Sequence, residues 1–239
     1  MTVYPKGNIP FGEYFGRAFA LYGENFSLFF PLSMASVGMT VIKALLSFSH
    51  DHRFVLLAAM LGPVEVCSYV YFLAALIFSV GSRADGSSVG FSDIFLLVWQ
   101  RFWRCLGGYL LFGLSLLAGI FLLVLPGIYC LTVFYFFIFA ILFEDKSVLA
   151  AFKRSDELVK GSFIKVLSAH AVVMFLFGVL ITFLFVGARL MGWDRNVLLV
   201  VADIIAAAAM PVFLGFYYAV FLHLKNEKDG VLGISLRAV

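Results

Sequence analysis

From Leu106 to Phe143 the chain carries no charged residue, and its few polar positions are three tyrosines, Ser115 and Thr132. An α-helix rises about 1.5 Å per residue and the hydrocarbon core of a bilayer is about 30 Å thick, so about 20 apolar residues make one span. The run is almost twice that length. Pro126 and Gly127, inside the stretch Leu-Pro-Gly-Ile-Tyr (Leu125 to Tyr129), are the residues least suited to a helix interior. They divide the run into two legs, 106–125 and 128–143, and predict a transmembrane hairpin with the Pro-Gly pair as its turn. Four further apolar stretches read as spans: 28–48, 54–80, 164–189 and 197–222. The pattern therefore predicts six spans, with a kink at Pro63 in the long second one.

Between the spans, three segments mix apolar residues at helical spacing with charge: 11–24, 91–104 and 147–160. In the first, Phe11, Phe15, Ala18, Phe19 and Tyr22 share a face. In the second, Phe91, Ile94, Phe95 and Val98 do so, with Trp99 and Trp103 at headgroup level. In the third, Leu149, Phe152, Leu158 and Val159 oppose Lys153, Asp156 and Lys160. This is the pattern of amphipathic helices lying in a headgroup plane. Each precedes a pair of spans, and the aromatic positions Phe15, Phe19 and Phe26 echo Phe91, Phe95 and Phe102. A threefold internal repeat fits this order; so does the general need for aromatic and basic residues where a helix enters a membrane.

Composition sharpens the class. Of 239 residues, 63% are hydrophobic and 13% charged, with mean hydropathy +1.05. Soluble domains carry about 45–50% apolar and about 25% charged residues, so a water-soluble fold is excluded. The first 25 residues lack the uninterrupted apolar core of a signal peptide. Lys and Arg crowd the N-terminal segment and the 81–105, 144–163 and C-terminal stretches, whereas the opposite connections hold Arg53, Arg189 and Arg195. The positive-inside rule then predicts a multi-pass protein with both termini cytoplasmic. Cys67, Cys105 and Cys130 show no paired spacing and read as small buried hydrophobes.

Leu-Pro-Gly-Ile-Tyr, the aromatic span after it, the acidic turn Glu144-Asp145 and Ala151 to Phe163 (AFKRSDELVKGSF) together resemble the YciC-like bacterial membrane proteins. They also resemble the membrane domain attached to some glycerophosphodiester phosphodiesterases. The resemblance is strongest over 125–163 and extends more weakly over 11–30. It implies six spans with amphipathic helices on the cytoplasmic side. The phosphodiesterase activity does not carry over, because it belongs to a separate soluble barrel for which this chain has no room.

Ionisable residues inside a bilayer are costly and mark candidate sites. Lys43, Glu65 and Asp203 qualify. Counting inward from the span ends places Lys43 and Asp203 at equal depth, which allows an ion pair between them and leaves Glu65, deeper, as the unpaired member. The set reads as a polar patch for a headgroup or a proton; the structural alternative has Lys43 snorkelling, Asp203 capping the last helix and Glu65 bonding neighbours at the Pro63 kink. Lys153, Arg154 and Lys160 could meet lipid phosphates, though positive-inside topology explains them equally. His170 and His223 read as structural. The His50-Asp51-His52 triplet is too sparse for a metal site, and no metal or other cofactor is expected. No Walker, GxSxG, HExxH or dinucleotide fingerprint occurs, and the serines in the apolar runs (Ser33, Ser36, Ser68, Ser115, Ser168) fit helix packing rather than catalysis.

The sequence thus predicts an all-α, non-enzymatic membrane protein that binds or transports a lipid or other amphiphile. The alternative is an accessory or scaffold subunit, or an envelope-integrity factor. The partners expected are membrane lipids and a protein partner within the membrane, with no role for nucleic acid.

Overall fold

The structure is a computed structural model that describes residues 11–47, 52–87, 89–122, 124–193 and 195–230. Ten helices follow one another there: α1 (Phe11–Glu24), α2 (Phe26–Ser47), α3 (His52–Met60), α4 (Gly62–Ala84), α5 (Phe91–Leu122), α6 (Val124–Phe134), α7 (Phe137–Glu144), α8 (Val148–Val159), α9 (Phe163–Leu190) and α10 (Arg195–Asp229). No strand occurs among the described residues. Six stretches are long and apolar enough to cross a membrane: Phe26–Ala44, Gly62–Ala84, Phe91–Leu122, Val124–Glu144, Phe163–Leu190 and Val197–Asp229. The chain is an all-α polytopic membrane protein. Most of the His50–His52 triplet falls outside the described residues, its last member opening α3.

Four boundaries differ from the expected ones. The amphipathic segment 91–104 is not a separate helix but the first half of α5, since no proline interrupts the backbone ladder between Phe91 and Leu122. Its Ile94, Val98 and Phe102 face the protein core, while Phe91, Trp99 and Trp103 point out. The 54–80 stretch divides at Leu61 into α3 and α4. Pro63 sits in the first turn of α4, where its missing N–H leaves no bond unmade.

The Pro-Gly pair does not form the hairpin turn. α5 ends at Leu122, α6 begins at Val124, and Pro126 lies in the first turn of α6. Gly127 instead provides the contact between the two legs. A Cβ on Gly119 would lie 2.8 Å from the Gly127 Cα, and a Cβ on Gly127 would lie 2.7 Å from Ile120 Cγ1. The returning leg is itself interrupted at Tyr135–Phe136, which separates α6 from α7.

The expected face of α1 is rotated. Tyr14, Ala18 and Leu21 are buried and Phe15 stacks on Phe216 of α10 at 4.2 Å, whereas Phe19 is exposed. The Glu13–Arg17 ion pair lies on the outer side.

At the centre lies α7, with Phe137, Ile138, Phe139, Ala140, Ile141 and Leu142 all buried. Around it pack α4, α5 and α8, with Phe221 of α10 against Phe139, while α2 lies against both α4 and α10. In a bilayer the lipid is as apolar as leucine, so close packing and dispersion, rather than escape from water, hold such a centre together. Aromatic pairs supply specific geometry: Phe139 on Phe221 at 5.4 Å, Phe143 on Tyr218 at 4.9 Å and Phe137 on Phe152 at 5.0 Å. Each is worth about 0.5–1.5 kcal/mol beyond its buried area.

Burial is uneven along the bundle. It concentrates in Val70–Ala84 of α4, Ile94–Gly108 of α5, α7, and Ala207–Leu224 of α10. Beyond Gly108, α5 buries only Gly119, and beyond His170, α9 buries only Ala188. Leu114, Leu117, Phe121, Phe175 and Phe183 are exposed there. One half of the molecule is therefore a packed core, and in the other half α5, α6 and α9 present apolar surface outward.

Candidate functional site

Two polar sets lie at opposite ends of the bundle. The first comes from α2, α4 and α10. Thr40 and Lys43 are three residues apart on α2 and so share a face. The Lys43 ammonium pairs with the Glu65 carboxylate of α4, and the Thr40 hydroxyl donates to the same carboxylate. Both charged side chains are about a quarter exposed, at 27% and 22%. Asp203 of α10 lies within electrostatic reach of Glu65 and makes no hydrogen bond or ion pair among the described residues.

This corrects the expected pairing: Glu65, not Asp203, is the partner of Lys43, and Asp203 is the odd member. The cause is the break at Leu61. The depth count treated 54–80 as one helix and put Glu65 near its middle, but α4 begins at Gly62, so Glu65 sits in its first turn. Asp203, the ninth residue of α10, is too far inside that helix to cap it. With one ammonium and two carboxylates, the set carries a net charge of −1.

The second set closes the other end. Asp145 ends α7 in a left-handed conformation, φ 53°, which Asp tolerates better than most residues. Arg101 donates to the Leu142 carbonyl, and Arg104 reaches both the Asp145 carbonyl at 3.1 Å and its carboxylate at 2.8 Å. Two basic residues of α5 thus satisfy the carbonyls and the negative dipole end of α7. The Arg104 hydrogen bond, aided by Arg101, holds the Asp145 carboxyl below the usual carboxylate range.

On α8, Arg154 is shared between Glu144 at 3.0 Å and Asp229, and Lys225 reaches Glu144 at 2.9 Å. Burial would lower the Arg154 guanidinium, but Asp229 and Glu144 outweigh it and hold it above its ordinary value. Lys165 pairs with Glu227 at 2.8 Å. The Tyr218 hydroxyl donates to Asp85 at 2.6 Å, only partly offsetting the burial that raises the Asp85 carboxyl. Of the three residues expected at lipid phosphates, Arg154 is therefore engaged by carboxylates, whereas Lys153 and Lys160 have exposed ammonium groups without an ion pair among the described residues.

At this second end, α8 does more than lie in a headgroup plane. Its Ala151, Phe152, Ser155, Leu158 and Val159 are buried, and only Leu149 of the expected apolar face points out. Ser155 enters the gap between α6 and α7. Its hydroxyl donates to the Val133 carbonyl at 2.6 Å and accepts from the Phe136 N–H at 3.1 Å. The next residue back, Tyr135, packs edge-on against His170 at 4.7 Å and lies 4.3 Å from the ring of Tyr217.

The fold and these sets define a polytopic, all-helical membrane protein with charged groups at both ends of its bundle. No family model, curated protein or solved structure matches the chain. Cys67, Cys105 and Cys130 are free, Cys105 fully buried. Sequence reasoning found the members of the first set but not their pairing. It missed Thr40, Ser155 and the grouping of Tyr135 with His170 and Tyr217. The spacing Thr40–Lys43 was the signal open to it.

Proposed function

We propose that this chain is a non-enzymatic inner-membrane protein that binds or carries a lipid or other amphiphile, with Lys43, Glu65 and Asp203 at the headgroup. The observation that carries this reading is the meeting of three charged side chains from three helices beside the loosely covered half of the bundle. Isolated charges in a span are expensive, and a second carboxylate beside a satisfied ion pair is not needed to stabilise that pair. Its excess negative charge suits a headgroup that carries an ammonium, which Asp203 would attract while Lys43 faces the phosphate. In this reading the chemistry of the set is recognition.

Cytoplasmic termini belong to the same reading, because the basic residues Arg101, Arg104, Arg154 and Lys225 gather at the termini's end of the bundle. Kinship with the YciC-like proteins is part of it too; the stretch that carries that resemblance most strongly runs through α6, α7 and α8, away from the headgroup set.

Mass spectrometry of the protein in mild detergent tests the proposal with wild type, Glu65→Gln, Lys43→Ala and Asp203→Asn. A defined lipid retained by wild type and lost in the variants is expected. An identical bulk lipid mixture in all four would overturn it and favour an accessory or scaffold role, to which the nearly bare surface of α9 would then be the natural clue.

A further inference from the structure

The leg α5 and the returning leg α6–α7 run antiparallel: Arg104 meets Asp145, Gly108 closes on Phe137, and Gly119 closes on Gly127. Because the returning leg is interrupted at Tyr135–Phe136, α6 need not continue the line of α7. Its course follows α8 instead. Phe152 packs on Phe134 at 5.2 Å, and Ser155 donates to the Val133 carbonyl at 2.6 Å. Phe163, where α9 begins, stacks on Tyr129 at 5.8 Å. Moving along α8 into α9 therefore retraces α6 towards its start.

That path stays at the charged end of the bundle. Arg154 pairs with Asp229, the Lys160 carbonyl accepts from Lys228, and Ser162 donates to Glu227. The second half of α8 thus lies against the last turn of α10, and Tyr129 is held nearby. Only about 7.5 Å of helix separates Tyr129 from Val124. With packed helices about 8–10 Å apart, the hairpin tip lies within about 20 Å of α8. α9 starts from the same place and needs about 39 Å of helix to bring Arg189 to the far end. The hydrocarbon core is about 30 Å thick, so the tip stops short of the far face.

The composition of the tip agrees with that depth. No polar side chain occurs between Ser115 and Tyr129, and Phe121, Leu122, Val124 and Leu125 are 66–94% exposed. Connections at the far end carry Arg53, Arg189 and Trp193 instead.

We infer that the α5–α6 hairpin is re-entrant: it enters from the charged end and seats its apolar tip among lipid acyl chains in the membrane interior, without reaching the far face. Open backbone is costly there, and the hairpin keeps it small. Only position 123 separates α5 from α6, Pro126 has no N–H to satisfy, and Gly119 and Gly127 bring the legs into backbone contact. The crossing helices are then α2, α4, α9 and α10, an even number that returns the end of α10 to the side of α1. The inference does not depend on the headgroup set at Lys43.

A nitroxide on Leu122→Cys tests it, in full-length protein with Cys67, Cys105 and Cys130 replaced by alanine and reconstituted in phosphatidylcholine vesicles. Electron paramagnetic resonance reads its collisions with oxygen, which concentrates in lipid, and with a water-soluble nickel chelate present on both sides. Strong relaxation by oxygen and loss of relaxation by nickel are expected, whereas Trp193→Cys at the far end should meet nickel. Leu125→Cys is the second position if Leu122→Cys does not fold. Nickel access at the tip equal to that at Trp193→Cys would put the tip in water at the far face and overturn the inference. Weak relaxation by both reagents would show protein rather than lipid around the tip, a second copy included, and would overturn it as well.

Discussion

A hydroxyl on one helix repairs a break in another. Without Ser155, the Val133 carbonyl and Phe136 N–H would face each other across an interrupted helix in the protein centre. Water cannot reach them there, and unsatisfied backbone in a membrane interior is costly. Ser155→Ala should therefore destabilise the protein by about 1–3 kcal/mol, the cost of leaving buried groups unpaired. The checks are thermal unfolding in detergent and hydrogen exchange at the Phe136 amide, which should accelerate in the variant. Nothing in the local pattern announces this role. Ser155 sits in a charged stretch, AFKRSDELVK, whose polarity suggests a solvated face, and its partners lie 19 and 22 residues away. Lys153 and Lys160 of the same helix do point outward, as that pattern implies.

Among the elements, the α5–α6 hairpin depends on small residues more than on its proline. Gly119 and Gly127 allow the two backbones to meet, as small residues do where membrane helices approach closely. Gly119→Ala puts a methyl group against Gly127 backbone atoms and should cost about 1–3 kcal/mol through forced displacement. Gly113→Ala, on the same helix with nothing within 4 Å of the added Cβ, should be neutral or stabilising by up to about 1 kcal/mol. Unfolding temperatures of the two variants give the comparison. Hydrophobic length and the Pro-Gly signal made the hairpin legible in sequence, because both report on how much helix fits a bilayer. Its tip was misplaced because proline is as much at home in the first turn of a helix as in a turn. The continuity of α5 was hidden for a similar reason: charges at Asp93, Arg101 and Arg104 look like the polar side of an interfacial helix, yet the two arginines reach inward to the end of α7.

Across the whole molecule, charge is segregated to two ends with an aromatic core between them. Arg101, Arg104, Arg154, Lys165 and Lys225 are all paired at one end, which ties α5, α7, α8, α9 and α10 together. The other end holds the Lys43–Glu65 pair, with Asp203 within electrostatic reach of Glu65. That these residues are candidates was legible from the cost of charge in a span. Their arrangement was not, since it depends on a helix break at Leu61 that resets the depth of Glu65 and on the packing of α2 against both α4 and α10. The account stands or falls on these charges acting as one set.

Exchanging the pair tests it most directly. Lys43→Glu leaves three carboxylates together and Glu65→Lys leaves two cations, so each alone should cost about 1–3 kcal/mol and release the retained lipid. The double variant restores the pair beside an unchanged Asp203, and should recover both the unfolding temperature and the bound lipid. A double variant no better than either single one, or single variants that behave as wild type, would contradict the account.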